Sequence, residues 1–216
     1  MSLGIPYQYI CVEGNIGAGK TTLCELLAKD YNCKLILEEF AENPFLPYFY
    51  DNPDRYAFPV ELFFLTERHK QLEEHLMHRD LFYEFIVSDY FFLKTLLFAK
   101  NNLGPEEFRL FQRMYQALAA NFPTPDLLLF LHRSPLALKK LITQRGRQYE
   151  SNITVEYLQN LQDIYFEYFK NELSFPIVVV DADRMDFLNN PADYQEVRQL
   201  LQRKFMPGIH RISLIN

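Results

Sequence analysis

Near its N-terminus the chain reads Gly14-Asn15-Ile16-Gly17-Ala18-Gly19-Lys20-Thr21, which fits the pattern G-x-x-x-x-G-K-[ST]. An apolar run typical of a buried strand precedes the motif at residues 7–12, and helix-forming residues with apolar spacing follow at 22–30. In this context glycines let the backbone wrap around phosphates, while exposed amides and the helix N-terminus face the anion. Lys20 is expected to reach the β- and γ-phosphate oxygens, and Thr21 to ligate Mg²⁺. The sequence thus predicts a nucleotide-binding P-loop that extends to Thr22.

The rest of the chain alternates short apolar runs with helical segments. Further strands are predicted at residues 34–37, 82–87, 126–131 and 177–180. Helices are predicted at residues 56–78, 90–100, 106–120, 135–144, 154–172 and 191–205. This alternation favours one α/β domain over residues 1–216, a P-loop NTPase-type fold in which a five-stranded parallel sheet lies between two helical layers. Such sheets bind ligands at the carboxyl ends of their strands.

Composition and charge narrow the class of protein. Hydrophobic residues make up 49% and charged residues 23% of the 216 residues, which is typical of a soluble globular domain. A formal charge of −6 argues against broad binding to nucleic acid or to an anionic membrane. The sequence has no secretory leader pattern and no apolar stretch that would span a bilayer. Because the three cysteines lack metal-binding spacing, we interpret them as free thiols in the cytoplasm.

Several separated segments together indicate a particular family of kinases. A GTPase is disfavoured, because the sequence has no Asn-Lys-x-Asp motif and no strand that ends in Asp-x-x-Gly. Beside the P-loop, which begins with Glu13, the chain carries Leu37-Glu38-Glu39-Phe40, the stretch 50–68 and Arg145-Gly146-Arg147. With these segments in this order, the chain resembles the deoxynucleoside kinase family over about residues 9–194. That family includes deoxycytidine, deoxyguanosine, deoxyadenosine and mitochondrial thymidine kinases. The resemblance implies ATP-dependent phosphorylation of the 5′-hydroxyl of a deoxyribonucleoside.

Glu38 is the candidate general base. It ends the second predicted strand, so its side chain should project beside the P-loop, where a carboxylate can accept the 5′-hydroxyl proton. The resemblance implies this catalytic role for the same position. Glu39 remains an alternative, and a solvated loop carboxylate is the non-catalytic interpretation.

Glu61 and Arg68 are the candidate readers of the nucleobase. They lie seven residues apart on a predicted helix, hence two turns apart on one face, with Phe64 between them. A surface face of ion pairs is the alternative interpretation. The resemblance implies that a Gln and an Arg at these positions read the base edge, and that Tyr50 meets the sugar 3′-hydroxyl. Since an ionised Glu61 offers only acceptors, it suits the adenine amino group or the N1 and N2 hydrogens of guanine. We therefore expect purine deoxynucleosides.

A candidate metal ligand follows the third predicted strand, in Ser88-Asp89-Tyr90. The family shows Glu or Asp here, followed by Arg and Ser. We assign Asp89 to Mg²⁺ with the P-loop threonine, and to the substrate site, because carboxylate and hydroxyl oxygens suit this ion beside phosphates. Glu84 competes if the register shifts, and a helix N-cap is the alternative for Asp89. Tyr90 cannot supply the cation of the family's Arg, but Lys94, one helical turn later, can compensate.

An arginine-rich lid is expected at Arg145 and Arg147. The resemblance implies that these arginines close over the transferring phosphoryl group, and that Glu150 meets the sugar 3′-hydroxyl. A basic helix C-terminus that offsets the helix dipole is the alternative interpretation. A looser match assigns Asp186 and Phe187 to the loop around the ATP adenine.

Two other functions remain open from the sequence. A nucleoside monophosphate kinase, such as thymidylate kinase, shares the strand–loop–helix start but needs a basic site for the substrate phosphate. A non-catalytic scaffold would not need Lys20, Glu38 and the lid arginines. The predicted partners are a deoxynucleoside and a nucleotide, and the resemblance also implies a homodimer. The following rings are expected in the core or at a subunit interface: Phe63, Phe64, Phe108, Phe111, Tyr115, Tyr165, Phe166 and Phe169.

Overall fold

The computed structural model describes residues 4–39, 43–76, 82–119 and 122–213. Strands β1 to β6 are Tyr9–Gly14, Cys33–Ile36, Phe85–Ser88, Leu127–His132, Pro176–Asp181 and Gly208–Ile212. Helices α1 to α8 are Lys20–Asp30, Leu46–Phe49, Pro53–Leu76, Lys94–Asn102, Pro105–Ala119, Pro135–Arg145, Val155–Asn171 and Pro191–Leu201. A 3₁₀ turn, Gln148–Glu150, connects α6 to α7. Phe40 and the predicted helix ends His78 and Ala120 lie outside the described residues.

The strands form one parallel sheet in the order β2-β3-β1-β4-β5-β6. Strand β1 lies centrally, with Ile10 opposite Val87 of β3 and Val12 opposite Leu129 of β4. The five predicted strands are confirmed. Because β1 ends at Gly14, the sheet delivers the P-loop to its carboxyl edge.

A sixth strand, β6, adds to the five that the sequence predicts. It pairs with β5 at the sheet edge, with Ile209 opposite Ile177. Its sequence places His210 and Arg211 between two isoleucines, so neither a continuous apolar run nor a clean alternation marks it. Pairing with a strand thirty residues earlier in the chain, rather than local preference, determines this element.

Helices cover both faces of the sheet, which confirms the three-layer α/β architecture. On one face α1, α6 and α8 pack against Ile10, Val12 and Leu129. On the other face α4 and α7 pack against Leu128 and Phe130, and α3 and α5 extend the layer. Successive residues of β4 point to opposite faces, and both faces are covered, so this strand is apolar from Leu127 to Leu131.

The helix boundaries differ from the predictions in two places that matter for the site. Helix α4 begins at Lys94 instead of residue 90, because the segment before it is a loop whose Phe91 amide donates to Glu13 Oε1 at 2.9 Å. The short helix α2 is absent from the sequence predictions, and Tyr50 lies at its C-terminal end. Among the helices of the described ranges, none combines the length and apolar character that a bilayer crossing requires.

Candidate active site

The P-loop connects β1 to α1 in the conformation that its motif predicts. Gly17 adopts a positive φ of 81°, which side-chain-bearing residues rarely adopt. A Cβ atom on Gly17 would lie 2.8 Å from Ile142 Cγ1, so the loop also approaches α6 too closely for a larger residue. Lys20 Nζ donates hydrogen bonds to the carbonyls of Gly14 and Asn15 at 2.9 and 3.0 Å. The Lys20 ammonium therefore lies within the P-loop, where the sequence analysis expects it to contact nucleotide phosphates.

Burial and neighbouring charges shift the pKa of Lys20. Burial and the positive charge of Lys94 lower the pKa of Lys20 to about 8, whereas the carboxylates of Glu13, Glu38 and Asp89 raise it. A triphosphate in the loop would bring further negative charge to the ammonium and favour its protonated form. Bound nucleotide and charged Lys20 therefore stabilise each other.

Glu38 follows β2 and is held by two cations. Its Oε1 accepts hydrogen bonds from Arg68 Nε and Nη2 at 2.8 and 2.5 Å, and its Oε2 accepts one from Lys94 Nζ at 2.5 Å. Burial alone would raise the pKa of Glu38, but the charges of Arg68 and Lys94 hold it well below the ordinary value of a carboxyl. Glu38 faces the cavity described below, whereas Glu39 is exposed. The geometry thus separates the two candidates for the base.

Asp89 lies immediately after β3, where it joins the P-loop helix to β2. Thr21 Oγ1 donates to Asp89 Oδ2 at 2.5 Å, and the Glu38 amide donates to Asp89 Oδ1 at 2.7 Å. The competing residue Glu84 is exposed at the opposite end of β3, so it does not belong to this site. A paired hydroxyl and carboxylate beside a P-loop fit Mg²⁺, which takes few protein ligands when phosphates and waters complete its shell. No cluster of three His, Cys, Asp or Glu side chains occurs in the described parts of the chain.

Lys94 places a cation beside Glu38, the candidate base, where the residue after Asp89 is a tyrosine and supplies none. Its side chain is 5% exposed and forms the 2.5 Å ion pair with Glu38. Tyr90 points elsewhere, with its hydroxyl hydrogen-bonded to Gln71. Lys94, the first residue of α4, therefore brings an ammonium group to the Glu38 carboxylate. This is the compensation for Tyr90 that the sequence analysis expects of Lys94.

Glu61 lies on α3 at the inner end of the cavity. The residue is only 1% exposed. Its Oε1 accepts a hydrogen bond from Asn102 Nδ2 at 2.6 Å, but its Oε2 has no hydrogen-bond partner in the described part of the chain. Burial raises the pKa of Glu61 to about 7, against the lowering effects of Arg68, Asn102 and Lys94. This carboxyl group is thus balanced between its two protonation states near neutral pH.

Arg68 and Glu61 share the cavity but have different contacts. The guanidinium of Arg68 donates to Glu38 through two nitrogens and to Thr95 Oγ1 at 2.9 Å through the third. It lies 4.7 Å from the centre of the Phe64 ring. Arg68 is therefore engaged with the candidate base, and Glu61 is the polar group of this pair that retains an unsatisfied atom.

Tyr50 and Glu150 line the side of the cavity where the resemblance places the sugar. The Tyr50 ring packs edge-on against Tyr157 with 6.0 Å between centres. Arg145 Nη2 donates to Glu150 Oε1 and Oε2 at 2.7 and 2.6 Å, and Arg147 Nη1 lies 3.4 Å from Oε1. Two lid arginines therefore converge on one buried acid.

One cavity collects most of the predicted site residues. It contains about 780 Å³ of empty space, its open mouth included. Its lining includes Ile16, Gly17, Lys20, Thr21, Glu38, Tyr50, Glu61, Phe64, Arg68, Asp89, Arg145, Arg147 and Glu150. Segments far apart in the sequence therefore form one chamber of mixed polar and apolar lining beside the P-loop.

Asp186 and Phe187 do not line this chamber, although Phe187 lies beside the P-loop. The Phe187 ring is 3.7 Å from the position that a Cβ atom on Gly19 would occupy. Asp186 Oδ1 accepts hydrogen bonds from the amides of Leu188 and Asn189, so it shapes its own loop. This arrangement puts a ring beside the loop glycines, separate from the cavity of the other candidates.

Sequence reasoning missed three residues that organise the site. Asn102 bonds Glu61 from the end of α4, and Tyr157 of α7 packs on Tyr50. Arg133 donates to the Ala18 carbonyl of the P-loop at 3.1 Å and to the Met185 carbonyl at 2.8 Å. None of the three stands in a motif, and their roles arise from contacts across the fold.

Comparison with known proteins gives consistent matches along the chain. The family described as deoxynucleoside kinase matches residues 10–207. A deoxyguanosine kinase of Bacillus subtilis is 33% identical over 193 residues, which cover 88% of this chain and 93% of that protein. A deoxyadenosine kinase of Lactobacillus acidophilus is 28% identical over 211 residues, which cover 91% of this chain and 96% of the relative. The structure of deoxyadenosine kinase from M. mycoides with bound dATP superposes with a TM-score of 0.78 at 26% identity, covering 91% of this chain and all of that one.

Proposed function

The chain belongs to the deoxynucleoside kinase family, and from this premise we propose that it transfers the γ-phosphoryl group of ATP to the 5′-hydroxyl of a purine deoxyribonucleoside. The observation that carries the proposal is the position of Glu38, which lines the same cavity as Lys20 of the P-loop and Asp89. A kinase needs a phosphate cradle and an acceptor site that share one wall. This cavity supplies both.

The proposed reaction is an in-line displacement at the γ-phosphorus. The 5′-oxygen forms a bond to phosphorus while the bond to the β–γ bridging oxygen breaks, and ADP leaves. The 5′-hydroxyl proton passes to Glu38, which accepts it at Oε2, the oxygen that also contacts Lys94. Because Glu38 is ionised at neutral pH, it can accept this hydrogen bond before the transfer begins.

Cations of this chain balance the charge of the transferring group. Lys20 offers a point charge to the β- and γ-phosphates. Arg145 and Arg147 lie on the lid, and planar guanidinium groups match phosphoryl oxygens in pairs. Glu150 now engages both arginines, so it holds them at the cavity mouth until a phosphate competes for them.

Thr21 and Asp89 are the residues that would hold Mg²⁺. When bound there with ATP, the ion would neutralise phosphate charge and orient the γ-phosphoryl group. The hydrogen bond from Thr21 to Asp89 keeps the two oxygens together beside the P-loop. Their chemistry fits the ion that accompanies nucleotides in P-loop enzymes.

Two kinds of observation support a purine acceptor. The relatives named above include a deoxyguanosine kinase and a deoxyadenosine kinase. Glu61 lines the cavity and has one unpartnered carboxyl oxygen, and both purines carry N–H groups on the edge that would face it.

The two alternative functions fit the cavity less well. A nucleoside monophosphate kinase needs cations that can receive the substrate phosphate. In this cavity Arg68 and Lys94 are paired with Glu38, and the lid arginines with Glu150. A scaffold would have no use for this concentration of buried charge, which is costly to maintain without function.

We further propose a homodimer in the cytoplasm. An apolar groove lies between α4, α5 and α7, lined in part by Leu96, Phe108 and Ile164. Burial of this groove against a second copy would remove apolar surface from water. The three free, buried cysteines suit a reducing compartment.

A direct assay tests the proposed function. Purified protein is incubated with Mg-ATP and each of the four deoxynucleosides, and monophosphate products are separated by chromatography. We expect dAMP and dGMP to form faster than dCMP and dTMP. Phosphorylation of a deoxynucleoside monophosphate alone would instead establish a nucleotide kinase, and complete inactivity would support a scaffold.

A further inference from the structure

Glu61 is a buried carboxyl group that lines the cavity and has one oxygen without a hydrogen-bond partner among the described residues. Asn102 holds Oε1 at 2.6 Å, which fixes the plane of the carboxyl group. Oε2 has no partner within the described residues, although Glu61 is only 1% exposed. An unpaired buried polar atom is costly, so an atom in this position is best explained by a partner that arrives with the substrate.

Burial and the groups around Glu61 shift its pKa in opposite directions. From α3, Arg68 favours the ionised form, and from α4 so do Lys94 and the amide of Asn102. The charge of Glu38, from the end of β2, favours the protonated form, and burial favours it more strongly than any neighbour.

Other titratable groups of the cavity face the same space. The phenols of Tyr50 and Tyr157 are buried near Glu61, and burial raises the pKa of each. They therefore stay neutral when Glu61 titrates. Glu150 also lies close enough to act on Tyr50, and it is paired with Arg145. Burial raises the pKa of Glu61 to about 7, and in the same cavity the pKa of Lys20 is lowered to about 8.

Adenine and guanine form matched hydrogen bonds with opposite protonation states of a carboxyl group. The adenine edge presents the N6 amino donor beside the N1 acceptor, so a matching carboxyl group must accept at one oxygen and donate from the other. Only the neutral acid can do so. The guanine edge presents donors at N1 and N2, which an ionised carboxylate accepts with both oxygens. Adenine N1 is itself an acceptor, so a carboxylate oxygen opposite it would bring two lone pairs together without a hydrogen between them.

We propose that the proton on Glu61 sets the purine preference of the enzyme, so that the neutral acid admits deoxyadenosine and the carboxylate favours deoxyguanosine. This inference rests on the proposed function and adds a specificity control to it. Asn102 acts as a positioning residue, because its donated hydrogen bond restrains the carboxyl plane and stabilises the ionised form. One protein can then serve both purines, in a ratio that depends on pH.

The test is the ratio of kcat/KM for deoxyadenosine to kcat/KM for deoxyguanosine, measured from pH 6 to pH 8.5 at saturating Mg-ATP. Ionisations that affect both substrates equally, including those of ATP and Glu38, cancel in this ratio. We expect the ratio to fall as pH rises, by up to about tenfold per pH unit, because the neutral fraction of Glu61 falls tenfold relative to the ionised fraction over each unit. A ratio that stays constant with pH would overturn the proposal.

The isosteric variant Glu61→Gln is the matched control. Its amide always offers one donor and one acceptor and does not titrate, so its ratio should be independent of pH. An equal slope in Glu61→Gln and the wild type would assign the effect to another group and refute the proposal. Asn102→Ala should raise the ratio at each pH, since it removes a bond that favours the carboxylate. A ratio that Asn102→Ala leaves unchanged across this pH range would refute the positioning role.

Binding calorimetry without ATP separates this inference from the proposed function. Titrations of deoxyadenosine and deoxyguanosine in two buffers of different ionisation enthalpy report the protons exchanged. At pH 8 we expect deoxyadenosine to take up as much as about one proton per site, and deoxyguanosine to take up none. Equal proton exchange for both would refute the inference even if both are phosphorylated. Binding of neither nucleoside, with no turnover, would reject the proposed function together with it.

Discussion

Glu38 shows how a single carboxylate can serve as a base while it is held between two cations. Arg68 and Lys94 keep it ionised and fix both of its oxygens. Those same charges weaken it as a proton acceptor. The transition state of phosphoryl transfer is loose, so the 5′-hydroxyl need not lose its proton before the bond to the leaving group has lengthened. A weak proton acceptor is therefore sufficient. Glu38 should therefore take the proton late, after the bond to the leaving group has lengthened.

Glu38→Gln is predicted to lower kcat by about 10²–10⁴-fold, because the amide cannot take the proton and loses both ion pairs. Steady-state kinetics with deoxyguanosine measure the loss, and fluorescence titration with a labelled ATP analogue should show that nucleotide still binds. Glu39→Gln, one residue later and exposed, is the control and should keep near-normal turnover. Equal losses in the two variants would contradict the assignment of the base.

Glu61→Gln should stabilise the unliganded protein, and increasingly so at higher pH. The folded-state pKa of Glu61 lies above its usual value, at about 7, so the native form keeps a proton that the unfolded form has already lost. Stability that depends on this proton is present at low pH and is lost as pH rises towards 7. The neutral amide avoids the loss.

The gain in the free energy of unfolding should reach at most about 3 kcal/mol above pH 7.5 and nearly vanish at pH 4.5. Urea denaturation of both proteins at these two pH values measures the difference. A gain that is the same at both pH values would show that Glu61 does not titrate between them.

At the scale of elements, the P-loop glycine Gly17 and the lid glycine Gly146 make a matched pair. Both adopt positive φ angles, 81° and 72°, but only Gly17 is crowded, since nothing lies within 4 Å of a Cβ atom placed on Gly146. Gly17→Ala should combine the left-handed backbone cost of about 1–2 kcal/mol with a clash against Ile142. Gly146→Ala should show the backbone cost alone.

Thermal denaturation and ATP titration of both variants distinguish these two costs. Gly17→Ala is expected to lower Tm further and to weaken ATP binding, because the loop must shift away from α6. Gly146→Ala should retain ATP affinity. If Gly17→Ala bound ATP as tightly as the wild type, close packing of the loop against α6 would not be needed for phosphate binding.

The elements themselves divide into those that local sequence specifies and those that it does not. Strands β1, β4 and β5 are continuous apolar runs, and the motif at Gly14 to Thr21 requires its strand and helix, so both were open to prediction. Strand β6 and helix α2 were not, because their short sequences carry weak periodicity and tertiary contacts decide their conformation.

At the scale of the whole molecule, the site depends on contacts that no local pattern contains. Motifs and resemblance indicated Glu38, Glu61 and Asp89, because each follows a recognisable strand or spacing. The hydrogen bond from Asn102 to Glu61 joins α4 to α3 across 41 positions of the chain. The protonation state of Glu61 depends on burial and on four neighbours from three elements, which a single sequence does not reveal. The sequence thus indicated which side chains carry the chemistry of the candidate site, but not the contacts that set the pKa of Glu61.

The helical layer of α4, α5 and α7 carries the last prediction, which concerns assembly. The groove is lined by Leu93, Leu96, Leu97, Phe108, Ile164 and Tyr168 together with polar residues, among them Lys100 and Glu167, which form an ion pair. A mixture of apolar and charged side chains is usual in a subunit interface. Ile164→Glu would place a charge among the apolar lining residues and should raise the dimer dissociation constant by about 30-fold or more.

Sedimentation velocity over a range of protein concentrations measures that constant, and Leu136→Glu provides the control. Leu136 is 72% exposed on α6, in the opposite helical layer, so a charge there should leave assembly unchanged. A wild-type protein that sediments as a monomer at every concentration would reject the homodimer. Equal weakening by both substitutions would place the interface elsewhere, because a contact that includes α6 lies across the sheet from the groove.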